Sequence, residues 1–180
     1  TNEYSQTIIS TTNRLLELGE KARSLDDLTR SVPVPRPVDV VPLIEDVCRD
    51  FREENSHVAI DLQTPEKAMA LAAPELSTAI RELLDNAANY AGESPSVTVT
   101  VQPNPEETVI TIQDDGPGLP GPEQQVLTGG NQSPLEHGSG LGLFLVFWIV
   151  TMFDGTIDAI ATSNGTTMDL RLTPAGEIPS

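Results

Sequence analysis

Glu82-Leu83-Leu84-Asp85-Asn86-Ala87-Ala88-Asn89-Tyr90, then Asp114-Asp115-Gly116-Pro117-Gly118, then Gly138-Ser139-Gly140-Leu141-Gly142-Leu143, decide the reading of this chain. The first segment is helical in pattern and carries an amide. The second is an Asp-X-Gly-X-Gly turn after a strand, and the third is a glycine loop running into an apolar helix. Together these are the parts needed to hold a nucleotide without a P-loop. Any one of them alone is a weak signal, because glycine turns are common; the ordered set is strong.

On the helix, Glu82, Asn86, Asn89 and Tyr90 lie three or four residues apart and share a face beside the apolar stripe of Leu76, Ala79, Ile80, Leu83 and Ala87. An amide oxygen suits a hard cation that also binds phosphate oxygens, since magnesium takes few protein ligands and keeps its waters. A carboxylate one turn earlier can orient or deprotonate a nucleophile. The same residues also suit a solvated helix face. Asp114 can accept a hydrogen bond from an exocyclic amine such as adenine presents, and Gly116 and Gly118 allow a close backbone approach to a flat ring. An ordinary acidic turn after a strand would look alike, and Asp115 reads as its solvated neighbour. Gly138, Gly140 and Gly142 expose backbone N–H groups at a helix N-terminus, where anions are favoured. A flexible loop before a core helix is the alternative.

Outward from these segments, the chain alternates helices and strands. Residues 2–30 read as one long helix with a coiled-coil seam of Tyr4, Ile8, Thr11, Leu15, Leu18, Ala22 and Leu25, backed by Ile9 and Leu16. Val32-Pro33-Val34-Pro35-Arg36-Pro37 then forms a stiff connector. The pattern predicts a strand over Val38–Val41, a helix over Pro42–Glu54 begun by its proline, and strands over Val58–Leu62 and Ala68–Ala72. A helix over Pro74–Tyr90 follows, then alternating strands at Val97–Val101 and Val109–Ile112. Leu119–His137 reads as a loop rich in Gly and Pro. The apolar run Leu141–Phe153 reads as a buried helix, too short to span a bilayer. Strands near Thr156–Thr162 and Thr167–Leu172 close the pattern. The domain boundaries expected are 1–31, 32–37 and 38–180.

Composition narrows the function classes. Of 180 residues, 27 are acidic and 10 basic, a net charge of −17, and Lys21 and Lys67 are the only lysines. No basic patch exists to neutralise a nucleic-acid backbone. Scattered acid with scarce lysine resembles proteins of salt-in halophiles, where screening removes self-repulsion. The one cysteine, Cys48, excludes a disulfide framework and fits a reducing cytoplasm. A chain that starts at Thr1 without a signal-like stretch reads as part of a longer protein, any membrane tether lying upstream and no membrane contact coming from these residues.

The three segments resemble the N, G1 and G2 boxes of sensor histidine kinases, within the ATPase group that includes DNA gyrase and the heat-shock ninety chaperones. The resemblance runs from about Val38 to the end. Tyr4–Leu28 resembles the second helix of the dimerisation and phosphoacceptor hairpin, and His137–Val150 looks most like kinases of halophilic archaea.

The resemblance implies an α/β (α+β) two-layer sandwich of Bergerat type, with a mixed sheet covered on one face by three helices and preceded by the long hairpin helix. It implies ATP and Mg2+ as cofactors, with Asn86 as magnesium ligand and Glu82 polarising the incoming nucleophile. Asp114 would bind the adenine amine, with Gly116 and Gly118 shaping that wall and Thr166 supporting the aspartate. The backbone of Gly138, Ser139, Gly140, Leu141 and Gly142 would border the triphosphate. Asn89 and Tyr90 would flank the nucleotide, and His137 is the lid's candidate for a phosphate contact.

The γ-phosphoryl group would pass to a histidine on a helix absent here, since neither His57 nor His137 stands where an acceptor belongs. Implied partners are a second copy, through the helix hairpin, and a response-regulator receiver domain. Three departures from the family pattern stand out: Asn89 replaces a common Lys or Arg, Val126-Leu127-Thr128 replaces a Phe-containing box, and no Lys or Arg occurs from Glu82 to Leu170. Two other readings remain, a nucleotide-binding signalling module without catalysis and a related serine kinase or ATPase. The N-terminal seam argues against the second of these.

Overall fold

A computed structural model describes residues 33–90, 95–116, 140–162 and 165–176, together with Gly19, Arg23 and Asp26. The last three are helical; the residues of the N-terminal seam lie outside the described residues, as does the stretch Leu119–His137 that the sequence predicts to be a loop.

The elements run β1 (Arg36–Asp39), α1 (Val40–Glu54), β2 (Ala59–Gln63), β3 (Met69–Ala72), α2 (Leu76–Tyr90), β4 (Ser96–Pro103), β5 (Thr108–Asp114), α3 (Gly140–Met152), β6 (Thr156–Thr162) and β7 (Gly165–Leu172). Five strands form a sheet in the order β2-β4-β5-β7-β6. The β2–β4 pair is parallel and the others are antiparallel, so the sheet is mixed. The three helices lie on one face of it, in the two-layer arrangement that the resemblance implies.

The alternating strands face the helices with Val97, Val99 and Val101 of β4, Ile110 and Ile112 of β5, and Met168, Leu170 and Leu172 of β7, all buried. Ile44, Cys48 and Phe51 of α1 and Leu76, Ile80 and Leu84 of α2 meet them from the other layer. Helix α3 has no charged residue in its 13 positions, and Leu143, Leu145, Val146, Ile149 and Val150 are buried. A helix apolar all round belongs in a core rather than on a surface.

The start of α1 differs from the sequence expectation. Val40 and Val41 are helical, and the strand before them reaches back to Arg36 and Pro37, inside the stretch that reads as connector. Asp39 is the reason. Its Oδ1 accepts the N–H of Val41 at 3.2 Å, capping the helix, and the N–H of Ala68 at 3.0 Å. Pro42 therefore sits within the first turn rather than opening it, which its missing N–H permits equally well. Helix α2 likewise starts at Leu76, two residues after Pro74, and β4 and β5 extend beyond their apolar cores.

Strand β1 pairs antiparallel with β3, and Pro37 is tolerated there because β1 is an edge. On the other side of β3, Leu71 N–H donates to Thr173 O and Ala175 N–H to Met69 O. The fully buried Thr108 hydroxyl also donates to Met69 O, at 3.1 Å, joining β3 to the start of β5.

Candidate functional site

Where α2, β5, α3 and β7 converge, the described residues form an open cleft lined by Leu83, Asn86, Ala87, Ile112, Asp114, Leu143, Thr166 and Met168. The lining joins the three sequence segments: Asn86 from the first, Asp114 from the second and Leu143 from the third. Its apolar part comes from side chains that the stripe and strand patterns mark only as core. A largely apolar cleft with a few convergent polar groups suits a flat heterocycle with a polar edge.

Asp114 ends β5. Its Oδ1 accepts the N–H of Gly116 at 2.8 Å and the backbone N–H of Thr166 at 3.2 Å. Among the described residues no other group donates to this carboxylate. Thr166 is buried and reaches the aspartate through its main chain. Gly165 precedes it at φ +136°, a conformation that side chains disfavour. A Cβ at Gly165 would lie 1.9 Å from the Asp114 carbonyl oxygen. Sequence reasoning names Thr166 and passes over Gly165 as part of a turn.

Asn86 projects from α2 into the cleft, and its Nδ2 is buried without a hydrogen-bond partner among the described residues. Burying an unpaired amide is costly, so this group is one that a bound ligand would satisfy. The donor set fits a magnesium nucleotide: the amide oxygen suits the hard cation and its N–H groups suit a phosphate oxygen. Glu82, one turn earlier, is 9% exposed. Asn89 is exposed, and Tyr90 is the last residue of α2. Gly140 opens α3, Gly142 is buried and Leu141 half-buried. Gly118, His137, Gly138 and Ser139 lie outside the described residues.

Asp115 is exposed, in keeping with its reading as a solvated neighbour, and in addition its Oδ1 accepts the Ser96 N–H at 3.0 Å, a bond between the end of β5 and the start of β4. No helix among the described residues is long and apolar enough to cross a membrane.

Over residues 72–176 the sequence matches the family described as histidine kinase-, DNA gyrase B-, and HSP90-like ATPase. The signal transduction histidine-protein kinase/phosphatase MprB of Mycobacterium avium is 31% identical over 152 residues, covering 78% of this chain and 28% of that protein. The probable sensor histidine kinase TcrY of Mycobacterium tuberculosis is 29% identical over 174 residues, covering 92% of this chain and 37% of its own. This chain thus spans about a third of the length of these curated relatives. Among solved structures, a mycobacterial sensor histidine kinase MprB superposes with a TM-score of 0.67 at 25% identity, over 80% of this chain and 100% of that one.

Proposed function

The chain belongs to the histidine kinase-, DNA gyrase B- and HSP90-like ATPase family, as the ATP-binding catalytic part of a sensor kinase, and on that premise we propose how its cleft works. It binds Mg·ATP and transfers the γ-phosphoryl group to a histidine on a helix outside this chain. The observation that carries the reading is the convergence of Asn86, Asp114 and Thr166, from three separate elements, on one cleft. Asp114 takes the exocyclic amine of the base, with Ile112, Leu143 and Met168 as apolar walls. Asn86 faces the phosphate end, where Mg2+ would neutralise phosphate charge. Phosphoryl transfer needs mainly positioning and charge neutralisation. The main-chain amides from Gly138 to Gly142 would border the triphosphate, His137 is the candidate for a further phosphate contact, and Asn89 and Tyr90 would flank the nucleotide. Glu82 orients the incoming imidazole, whose nitrogen bonds to the γ-phosphorus as the bond to ADP breaks.

Residues 1–31 act as the second helix of a dimerisation hairpin, 32–37 as connector and 38–180 as the catalytic domain. The functional unit is a homodimer that passes its phosphoryl group to a receiver domain in the cytoplasm. The net charge of −17 supports a halophilic setting. The test is phosphotransfer from labelled ATP to a separately supplied acceptor hairpin, with magnesium present and absent. Acid-labile, alkali-stable phosphate should appear on the hairpin and none on this chain alone. Label on this chain alone would overturn the assignment of the acceptor.

A further inference from the structure

Strand β5 lies between β4 and β7, and it is fastened to each of them by the side chain of a different, consecutive aspartate. Toward β7, Asp114 Oδ1 accepts the Thr166 N–H at 3.2 Å. Toward β4, Asp115 Oδ1 accepts the Ser96 N–H at 3.0 Å. The β4–β5 ladder makes its last pairing between Val97 and Asp114. Ser96 is the first residue of β4, and its N–H goes to the Asp115 carboxylate. The next residue, Gly116, turns back so that its N–H meets Asp114 Oδ1 at 2.8 Å.

We propose that Asp115 is a positioning residue for nucleotide binding, acting through the Ser96 N–H to fix the path along which the chain leaves β5. That path sets where the Asp114 carboxylate and the Gly116 amide stand at the cleft, so Asp115 serves the base without touching it. Ser96 opens β4 soon after α2 has ended at Tyr90, so the same bond ties the chain leaving the Asn86 helix to the chain leaving the Asp114 strand. The proposal rests on the ATP-binding reading of the cleft.

Two substitutions separate the hydrogen bond from the charge. Asp115→Asn keeps an oxygen that accepts the Ser96 N–H but removes a negative charge; Asp115→Ala removes both. On charge alone, either change should tighten binding of a polyanion. Calorimetry with Mg·ATP, on protein shown to be folded by circular dichroism, is the first arm. Asp115→Ala should weaken binding roughly fivefold, the loss of about one hydrogen bond's worth of ordering, whereas Asp115→Asn should bind as the wild type or more tightly. Amide hydrogen exchange without nucleotide is the second arm. In Asp115→Ala the Ser96, Gly116 and Thr166 amides should lose protection together, and in Asp115→Asn they should keep it. An alanine variant that binds as tightly as the wild type, an asparagine variant as weak as the alanine one, or unchanged protection at Gly116 and Thr166 would overturn the proposal. Wild-type protein without ATP affinity would overturn the reading of the cleft instead, and the exchange arm would still decide what Asp115 holds.

Discussion

Gly165 lies so close against the main chain of Asp114 that a Cβ added to it would stand 1.9 Å from the Asp114 carbonyl oxygen. The close approach lets Thr166, the next residue, donate its N–H to the Asp114 carboxylate. Gly165→Ala must push β7 away from the end of β5, and its φ of +136° adds strain of about 1–3 kcal/mol for any side chain. A lower melting temperature and an ATP dissociation constant raised at least tenfold are expected, measured by calorimetry below the melting range. Unchanged affinity would show that Asp114 keeps its place without this contact.

Asp114→Asn and Asn86→Ala should fail differently. The first exchanges an acceptor-only group for one that also presents donors, so it should weaken ATP roughly tenfold or more and narrow the preference over GTP. The second removes the amide at the phosphate end, so it should chiefly abolish the effect of magnesium on affinity. Titrations of ATP and GTP, each with and without magnesium, read both effects. Equal wild-type affinity for ATP and GTP would remove the adenine assignment.

Much of this was legible because the site is built from local patterns. Helix α2 declares itself through Leu76, Ile80, Leu83 and Ala87, and its amide falls beside that stripe by helical spacing alone. The alternating valines of β4 show which face is buried. Strand neighbours are another matter. Nothing in Ala59–Gln63 says that it pairs parallel with β4, and nothing in Gly165 says that β5 lies against it. The role of Asp115 was hidden for the same reason, since its partner Ser96 is distant in sequence and brought near only by sheet order. The start of α1 was misplaced because Pro42 is compatible with several positions of a first turn, and the deciding bond, from Ala68 to Asp39, is long-range.

Cys48 gives a test of the core rather than of the cleft. It is fully buried on α1, and burial pushes its thiol up from 9.0 to about 11, with the nearby Arg52 charge opposing in part. Above the unfolded value the unfolded chain loses the proton while the folded one keeps it. This contribution is therefore fully present below about pH 9 and is lost as pH rises toward 11, a fall of about 2 kcal/mol. Urea unfolding at several pH values in that window should show a steeper decline for wild type than for Cys48→Ala. Parallel declines would mean that the thiol ionises freely in the folded state.

The last expectation concerns salt. No Lys or Arg occurs between Glu82 and Leu170 in a chain of net charge −17. The arginines nearest that stretch are occupied: Arg81 pairs with Glu54, and Arg171 is shared among Glu107 at 2.7 Å, Asp158 at 3.0 Å and Asp169 at 3.2 Å. ATP approaching this cleft therefore meets a net repulsive field, whereas in a site built on lysine or arginine it would be attracted. Near 1 M salt the Debye length is about 3 Å, so distant carboxylates cease to contribute while hydrogen bonds inside the cleft persist. Screening also relieves the self-repulsion that opposes compaction. ATP affinity and thermal stability should both rise between about 0.1 M and 2 M KCl. Binding isotherms at each salt concentration, on protein folded by circular dichroism, decide the sign. Affinity that falls steadily with salt in folded protein would place a cation on the phosphates and contradict the repulsive field argued from these charges.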